Sequence, residues 1–116
     1  MVYTIVVHLY AKEGAEIEKQ IRTKLAEASR VYASYKETIS WLGMQDHNDP
    51  RAWCIIERYE HESSTKEHTR DPYFKTFFPF VSLLARPMEM HRFYELDTSK
   101  PTKVEYYINI HDPRHH

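Results

Sequence analysis

The chain has 116 residues, enough for one domain with one modest hydrophobic core. Its 16 basic and 17 acidic residues give a formal net charge of −1, which provides no electrostatic reason to expect binding to nucleic acid or an anionic membrane. The single cysteine excludes an internal disulfide framework, and the sequence shows neither a signal-peptide pattern nor an apolar run of about 20 residues, so we expect a cytoplasmic globular protein.

The first two elements are predicted to be a strand and a helix. Residues 2–10, VYTIVVHLY, are rich in β-branched and aromatic side chains, which is typical of a strand. After a turn that ends at Gly14, residues 15–35 carry apolar side chains every three or four positions, as an amphipathic helix does. The apolar face of this helix comprises Ile17, Ile21, Leu25, Ala28 and Tyr32.

A hairpin and a polar connection follow. Residues 36–45 and 52–59 predict two strands, joined by DHNDPR, which is dense in turn-forming residues. Residues 60–70 are polar and suit a short helix or a turn, with Ser63 or Ser64 as its N-cap.

Residues 68–80, HTRDPYFKTFFPF, contain five aromatic side chains. Asp71 is a favourable N-cap and Pro72 suits the first helical position, whereas Pro79 predicts a kink or the start of a second short segment. A helix here has one face with Tyr73, Phe77 and Phe80 and an adjoining face with Phe74, Phe78 and Val81. We expect the first face to pack on the sheet and the remaining rings to line a cavity between helix and sheet.

Residues 88–96 predict a fourth strand, so the order of elements is strand, helix, strand, strand, helix, strand. This order is typical of an α+β fold with ferredoxin-like split βαβ connectivity, in which two helices cover one face of a four-stranded antiparallel sheet. We assign residues 1–96 to this domain and residues 97–116 to a C-terminal extension. Residues 103–110 predict a fifth strand, added to a sheet edge of the same chain or of a partner.

The predicted strands carry more apolar side chains than one covered face can bury. Two helices cover one face only, and soluble monomers rarely expose large apolar patches. We therefore predict a homodimer in which two sheets pack face to face. The strand residues concerned are Trp41, Trp53, Cys54, Ile55, Ile56, Tyr59, Met88, Met90, Phe93 and Tyr94.

Four segments resemble the antibiotic biosynthesis monooxygenase family, whose fold is a dimeric α+β barrel. They are VVHLYAKEGAEIEKQI, NDPRAWCIIERYEHES, HTRDPYFKTF and RFYEL, and together they extend over roughly residues 1–96. The resemblance implies a homodimer with one small-molecule cavity per subunit. It also implies oxidation of phenols or quinols by O2 without a metal, flavin or other cofactor, although a shared fold does not establish a shared reaction.

The residue correspondence to the family is mixed. His68 matches the first histidine of the family motif, Tyr73 stands where many members have a second histidine, and Tyr59 replaces the usual tryptophan. The residue set of anthrone-oxidising members is largely missing, and the positions that serve haem in other relatives look like Val7 and Phe78, so the resemblance does not predict haem.

Three residues are candidates for catalysis, and each has a structural alternative. His68 is a candidate general base or a brace at the start of the second helix. Tyr73 is a candidate hydrogen-bond donor to substrate or a packing residue, and Arg92 binds a phenolate if it points inward and faces solvent otherwise. The candidate substrate-binding residues are Phe77, Phe78, Trp41, Tyr59 and His8, and we predict no metal site.

Two functions follow from these predictions. The first is a cofactor-independent monooxygenase, or a related isomerase or cyclase, acting on a small phenolic or quinoid molecule. The second is a non-catalytic or stress-related dimer that binds small molecules with the same fold.

Overall fold

The computed structural model describes residues 1–99, so the predicted strand at 103–110 lies outside the described residues. Within the described part, no helix is both long enough and apolar enough to cross a bilayer. The strands are β1 (Tyr3–Tyr10), β2 (Thr38–Gln45), β3 (Ala52–Tyr59) and β4 (Glu89–Tyr94). The α-helices are α1 (Ala15–Ala33) and α2 (Thr65–Arg70), and 3₁₀ segments occupy Glu62–Ser64, Pro72–Phe77 and Pro79–Leu83.

The four strands form one antiparallel sheet in the order β2-β3-β1-β4. β1 lies between β3 and the edge strand β4, and β2 forms the other edge beside β3, which is the ferredoxin-like α+β arrangement that the sequence predicts. The hairpin of β2 and β3 is confirmed, and the bounds of all four strands fall within two residues of the predicted ones.

The hydrophobic core lies between α1 and one face of the sheet, which we call the helix face. Four of the five residues on the predicted apolar side of α1 are fully buried, and they form one core cluster with alternate residues of β1 and β3. Gly43 of β2 allows this close approach, because a Cβ atom at this position would lie 2.7 Å from the Cβ of Leu25. The sheet residues of the core are Tyr3, Ile5, Val7, Leu9, Trp41, Trp53, Ile55 and Tyr59.

The second helical region consists of short pieces, where the sequence predicts a helix that Pro79 interrupts. Asp71 accepts a hydrogen bond from the Tyr73 backbone N–H at 2.8 Å, Pro72 begins one 3₁₀ segment and Pro79 begins the next, as predicted. Ser64 occupies the N-cap position of α2, but its hydroxyl donates to the Glu37 carboxylate at 2.6 Å.

In the 3₁₀ segments of residues 72–83, side chains three residues apart point in the same direction, so the aromatic side chains form an inward group and an outward group. Phe77 and Phe80 are three residues apart and both face the core, whereas Phe78 and Val81 both face outward. Phe78 is 63% exposed, so it lies at the surface and not against the sheet.

The opposite face of the sheet, which we call the open face, has no helix over it in the described part of the chain. Strand alternation and register place Leu42, Ile56, Val6 and Phe93 on this face. Leu42 is 53% exposed and Phe93 is 51% exposed, whereas Val6 and Ile56 are partly buried by their neighbours. The predicted surplus of apolar sheet surface is therefore present.

Candidate functional site

A hydrogen-bonded chain of four polar side chains crosses the core beneath α2. His68 Nε2 lies 2.9 Å from Thr38 Oγ1, and His68 Nδ1 lies 3.3 Å from the Tyr59 hydroxyl. The Tyr59 hydroxyl also donates to the Glu57 carboxylate. We call Thr38, His68, Tyr59 and Glu57 the polar chain; its two middle members are almost fully buried.

Tyrosine rings enclose the imidazole of His68, which is 5% exposed. It stacks on Tyr32 with 4.1 Å between ring centroids, and it meets Tyr35 and Tyr59 edge-on at 5.0 and 4.9 Å. Desolvation lowers the pKa of His68 to about 4, although the charge of Asp71 acts in the opposite direction. His68 is therefore a neutral imidazole at neutral pH, with one ring nitrogen as donor and the other as acceptor.

Glu57 occupies the helix face because β3 alternates inward at Trp53, Ile55, Glu57 and Tyr59. Its Cα partners are Trp41 on β2 and Ile5 on β1, both buried. Burial raises the pKa of the Glu57 carboxyl, and hydrogen bonds from Tyr59 and Trp41 oppose this increase. Burial also raises the pKa of the Tyr59 hydroxyl.

The polar chain has two self-consistent proton arrangements. With Glu57 ionised, Tyr59 donates to the carboxylate, His68 Nδ1–H donates to the Tyr59 oxygen and Thr38 donates to Nε2. With Glu57 protonated, all three hydrogen bonds reverse, and His68 Nε2–H donates to Thr38. A proton gained or lost at Glu57 can therefore be transmitted to Thr38 without any change in heavy-atom positions.

Tyr73 and Phe77 extend the aromatic enclosure on the α1 side. Tyr73 meets Tyr32 edge-on at 5.4 Å, and Phe77 lies parallel to Tyr32 at 6.2 Å. The Tyr73 hydroxyl points away from the polar chain and donates to Glu27 at 2.6 Å. Burial raises the pKa of Tyr73, and the Lys24 ammonium lies 4.3 Å from the centroid of its ring. Tyr73 therefore supplies packing at this position, and its hydroxyl is engaged at the surface.

Arg92 faces the same side of the sheet as Glu57. Ile5 is the Cα partner of both residues, so the three side chains form one row across β3, β1 and β4. Two strand spacings separate Glu57 from Arg92, or about 10 Å between their backbones. Arg92 is exposed, since no helix of the described chain lies over β4. The row therefore runs from the partly buried carboxyl group of Glu57 to the exposed guanidinium of Arg92.

The solvent-exposed end of this row, at Arg92, lies on β4. Register places Met90, Arg92 and Tyr94 on the helix face, and all three are exposed. The Tyr94 hydroxyl donates to Glu62 at 2.9 Å, and its ring lies 5.5 Å from that of Tyr3. An arginine, a methionine and a tyrosine thus form an uncovered floor next to the buried part of the site.

A polar groove of about 530 Å³ lies outside the other end of the polar chain, along α2. Glu37, which lines it, directly precedes Thr38 in the sequence. The groove is lined by Lys36, Glu37, Ser63, Ser64, Lys66, Glu67, Arg70 and Asp71. This mixture of charges suits water and polar groups better than an apolar ring.

The structure brings together some of the predicted site residues and separates others. His68, Tyr59, Trp41, Tyr73 and Phe77 surround Tyr32 or contact the polar chain. Phe78 packs on Phe74 at the surface, and His8 lies on the open face of the sheet, so neither contacts this cluster. Arg92 shares the helix face and lies at its edge.

Sequence reasoning missed Glu57, Thr38 and Tyr32 as members of the site. The alternation of β3 contains the signal for Glu57, because an acid two residues from Ile55 and two from Tyr59 shares their inward face. Thr38 and Tyr32 had no such signal, since only the packing of α2 against α1 and β2 brings His68 to them. Across residues 1–99, no three His, Cys, Asp or Glu side chains are arranged to hold a metal ion.

A sequence profile of the antibiotic biosynthesis monooxygenase family matches residues 2–79. The chain belongs to this family. The matched span contains all four members of the polar chain and ends before Arg92. No curated protein matches the sequence.

Solved structures agree with this membership at the level of the fold. A protein from Mycobacterium tuberculosis superposes with a TM-score of 0.74 at 17% identity, covering 86% of this chain and 100% of its own. A protein from Pseudomonas aeruginosa gives 0.74 at 16% identity, with 83% and 95% coverage. A structure described as an antibiotic biosynthesis monooxygenase gives 0.72 at 11% identity, with 82% and 99% coverage.

Proposed function

We propose that the protein is a monooxygenase that oxidises a small phenolic or quinoid aromatic molecule with O2 and needs no bound cofactor. Membership of the antibiotic biosynthesis monooxygenase family supports an activity of monooxygenase type. The observation that carries the proposal is the polar chain, which ends in the partly buried, inward-facing carboxyl group of Glu57.

Such a substrate can supply all the electrons that reduce O2 during its own oxidation. When an anthrone methylene becomes a carbonyl, one oxygen atom of O2 enters the product and the other leaves as water with the two methylene protons. The substrate has to lose a proton before it reduces O2, so the protein has to accept that proton and stabilise the resulting anion. No external reductant is required for this balance.

The polar chain and Arg92 divide these tasks in the proposed mechanism. Glu57 accepts the proton directly or through Tyr59, because burial raises the pKa of its carboxyl group. His68, with a pKa of about 4, is a weak base and serves as the neutral relay between Tyr59 and Thr38. Arg92 faces the substrate anion from the opposite end of the row, where a guanidinium can bind an aromatic oxygen anion.

The substrate enters over β4 in this proposal. The floor of Met90, Arg92 and Tyr94 is exposed, and it adjoins buried Tyr3 and Ile5. A planar aromatic molecule placed there contacts apolar side chains on one side and has the Glu57 carboxyl group at one end and the Arg92 guanidinium at the other. Phe78 and His8 have no part in this binding mode because both lie elsewhere on the molecule.

We further propose that the protein is a homodimer of the cytoplasm. Members of this family are generally dimers. The open face supports self-association, because it exposes Leu42 and Phe93 beside the partly buried Val6 and Ile56.

Oxygen uptake tests the proposed enzyme. The purified protein, incubated with a panel of anthrones and hydroquinones at pH 7.5, is expected to consume O2 faster than buffer with at least one of them. Glu57→Gln is expected to lower that rate by about 100-fold, a common loss for a missing general base. Glu60→Gln, an exposed acid at the end of the same strand, is the matched control and is expected to retain the rate.

Rates equal to buffer for every compound would contradict the proposal. Equal losses in the Glu57 and Glu60 variants would instead remove Glu57 from the mechanism. Circular dichroism of both variants distinguishes lost chemistry from lost fold.

The packing of His68 favours a second candidate function, a dimer that binds small molecules without turnover. Both imidazole nitrogens already have partners inside the protein, and the ring is tightly stacked, as in a purely structural role. The same compounds are expected in this case to raise the melting temperature, because they bind the native state alone, while O2 uptake equals that of buffer.

A further inference from the structure

Two histidines lie side by side on the open face of the sheet, along the edge formed by β1 and β4. His8 of β1 and His91 of β4 have ring centroids 6.1 Å apart, and both are exposed. His91 is the Cα partner of Val6, and the ring of Phe93 lies 6.5 Å from its own. The two imidazoles are therefore part of the same apolar surface that includes Val6, Ile56 and Phe93.

The described strands contribute few other ionisable groups to this face. On β4, Glu89 is the Cα partner of His8 and lies two residues from His91. On β3, Cys54 is the Cα partner of His8, and burial raises the pKa of its thiol. The open-face residues of β2 are Ser40, Leu42 and Met44, none of them ionisable.

The two ends of the open face carry the remaining charges, and partners already satisfy most of them. At one end, Arg58 donates to Glu95 at 2.7 and 2.9 Å, and this hydrogen bonding lowers the pKa of Glu95 to about 2. At the other end, the guanidinium of Arg86 lies 4.0 Å from the centroid of the Tyr10 ring. One carboxylate, Glu89, thus faces the two histidines.

We propose that the open face is a self-association surface for a second copy of this chain, and that protonation of His8 and His91 weakens the association. The inference rests on the homodimer proposed above and adds how its affinity is controlled. A second copy is the fitting occupant because this face exposes the apolar side chains of Leu42 and Phe93, and because the Arg58–Glu95 pair at one end is already neutralised within the chain.

The physical cause is the cost of moving imidazolium ions out of water. Histidine ordinarily changes its charge between pH 5 and pH 8, and a sheet packed against the open face removes water from both rings. A neutral imidazole tolerates this burial, whereas two imidazolium ions per chain share the single carboxylate of Glu89. Each dimer therefore gains two uncompensated charges in its interface when all four histidines are protonated.

The expected size of the effect follows from proton linkage. An imidazole that titrates near pH 6.5 when free and stays neutral in the complex weakens association about tenfold at pH 5.5. Two uncompensated histidines per dimer predict a dissociation constant about 100-fold higher at pH 5.5 than at pH 7.5.

Sedimentation velocity on dilution series at pH 7.5, 6.5 and 5.5, at constant ionic strength, measures this dependence. The unmodified protein is expected to be a dimer at pH 7.5 and to dissociate progressively towards pH 5.5, with unchanged circular dichroism. His8→Gln/His91→Gln is expected to give a dissociation constant that varies less than about threefold over the same range. His47→Gln, in the exposed turn between β2 and β3, is the control and should retain the full dependence.

Each alternative result has a distinct meaning. A dimer with the same affinity at all three pH values overturns the role of the histidines and leaves the homodimer standing. A monomer at every pH overturns both. Equal pH dependence in the double variant and in the unmodified protein assigns the dependence to other groups and also overturns the inference.

Discussion

His68 is a histidine that the fold keeps neutral. Its ring has tyrosine rings on three sides and a hydrogen-bond partner at each nitrogen, so protonation would place a charge where water cannot reach it. The sequence offered two interpretations of this residue, a general base or a brace. The geometry shows a packed ring within α2 with a partner at each nitrogen, and both hydrogen bonds can reverse, as a relay requires.

The pKa of His68 predicts a loss of stability in acid. Its folded pKa of about 4 lies below the ordinary value near 6.5, so the unfolded chain takes up the proton first as the pH falls. The free energy of unfolding is therefore unaffected by this group above pH 6.5 and falls between pH 6.5 and 4, by roughly 3 kcal/mol in total. Urea unfolding at pH 7.0, 6.0 and 5.0 measures this slope.

His68→Gln is expected to flatten this slope, since the amide does not titrate. His47→Gln, which changes an exposed histidine, should leave the slope intact. Glu57 acts in the opposite direction, because its raised pKa gives stability at low pH that is lost as the pH rises through that value. A slope that persisted unchanged in His68→Gln would show that other groups cause the acid sensitivity.

The contact between α1 and β2 depends on a residue without a side chain. Gly43 lies on the helix face, directly beneath Leu25. The Cβ, Cγ and Cδ1 atoms of Leu25 all lie within 3.4 Å of the position that a methyl group on residue 43 would occupy. The interface cannot accommodate that methyl group by a rotamer change alone, because the nearest atom is the Cβ of Leu25. Helix and strand would have to move apart.

Gly43→Ala is therefore expected to destabilise the protein by about 1–3 kcal/mol, the usual cost of overpacking a core. The midpoint of urea denaturation should fall while the denaturant slope stays constant. Ser40→Ala, on the open face of the same strand, is the matched control and should change the midpoint little. An alanine at position 43 with unaltered stability would mean that α1 lies farther from β2 than described.

Local sequence patterns predict some features of residues 72–83 and not others. The cap at Asp71 and the two prolines were readable from the sequence, because each acts on its nearest backbone neighbours. The predicted division of the rings holds, because Tyr73, Phe77 and Phe80 pack towards the core and Phe74, Phe78 and Val81 are on the exposed side. Helical spacing does not show whether anything covers the second side, and Phe78, which was predicted to line a cavity, is exposed.

At the scale of the whole molecule, one side of the sheet remains uncovered by the described chain. Phe93 and Phe78 are exposed to a similar degree, 51% and 63%, but only Phe93 lies on the open face. Substituting each of the two phenylalanines in turn therefore tests whether self-association depends on the open face or on any exposed aromatic side chain.

If the protein is the proposed dimer, Phe93→Glu is expected to give a monomer that keeps its circular dichroism spectrum, because a buried, unpaired carboxylate in each partner would oppose association. Phe78→Glu is expected to remain dimeric. Light scattering coupled to size-exclusion chromatography, at micromolar concentration, measures both masses. Dissociation in the Phe78 variant alone would move the interface to the other side of the molecule.

The sequence by itself determined the order and approximate bounds of the strands and of α1. These features follow from side-chain periods of two and 3.6 residues, from turn residues and from the cap at Asp71, all of which act over a few positions. The alternation of β3 also contains the inward side of Glu57, although the sequence analysis did not single this residue out.

Only the tertiary structure decided the composition of the candidate site. His68 and Thr38 are 30 residues apart in the chain, and Glu57 and Arg92 share a row only because β3, β1 and β4 pair in a particular register. Such contacts depend on how whole elements pack. No local pattern of side chains specifies which tyrosines will surround a histidine, or which face of a sheet will remain uncovered.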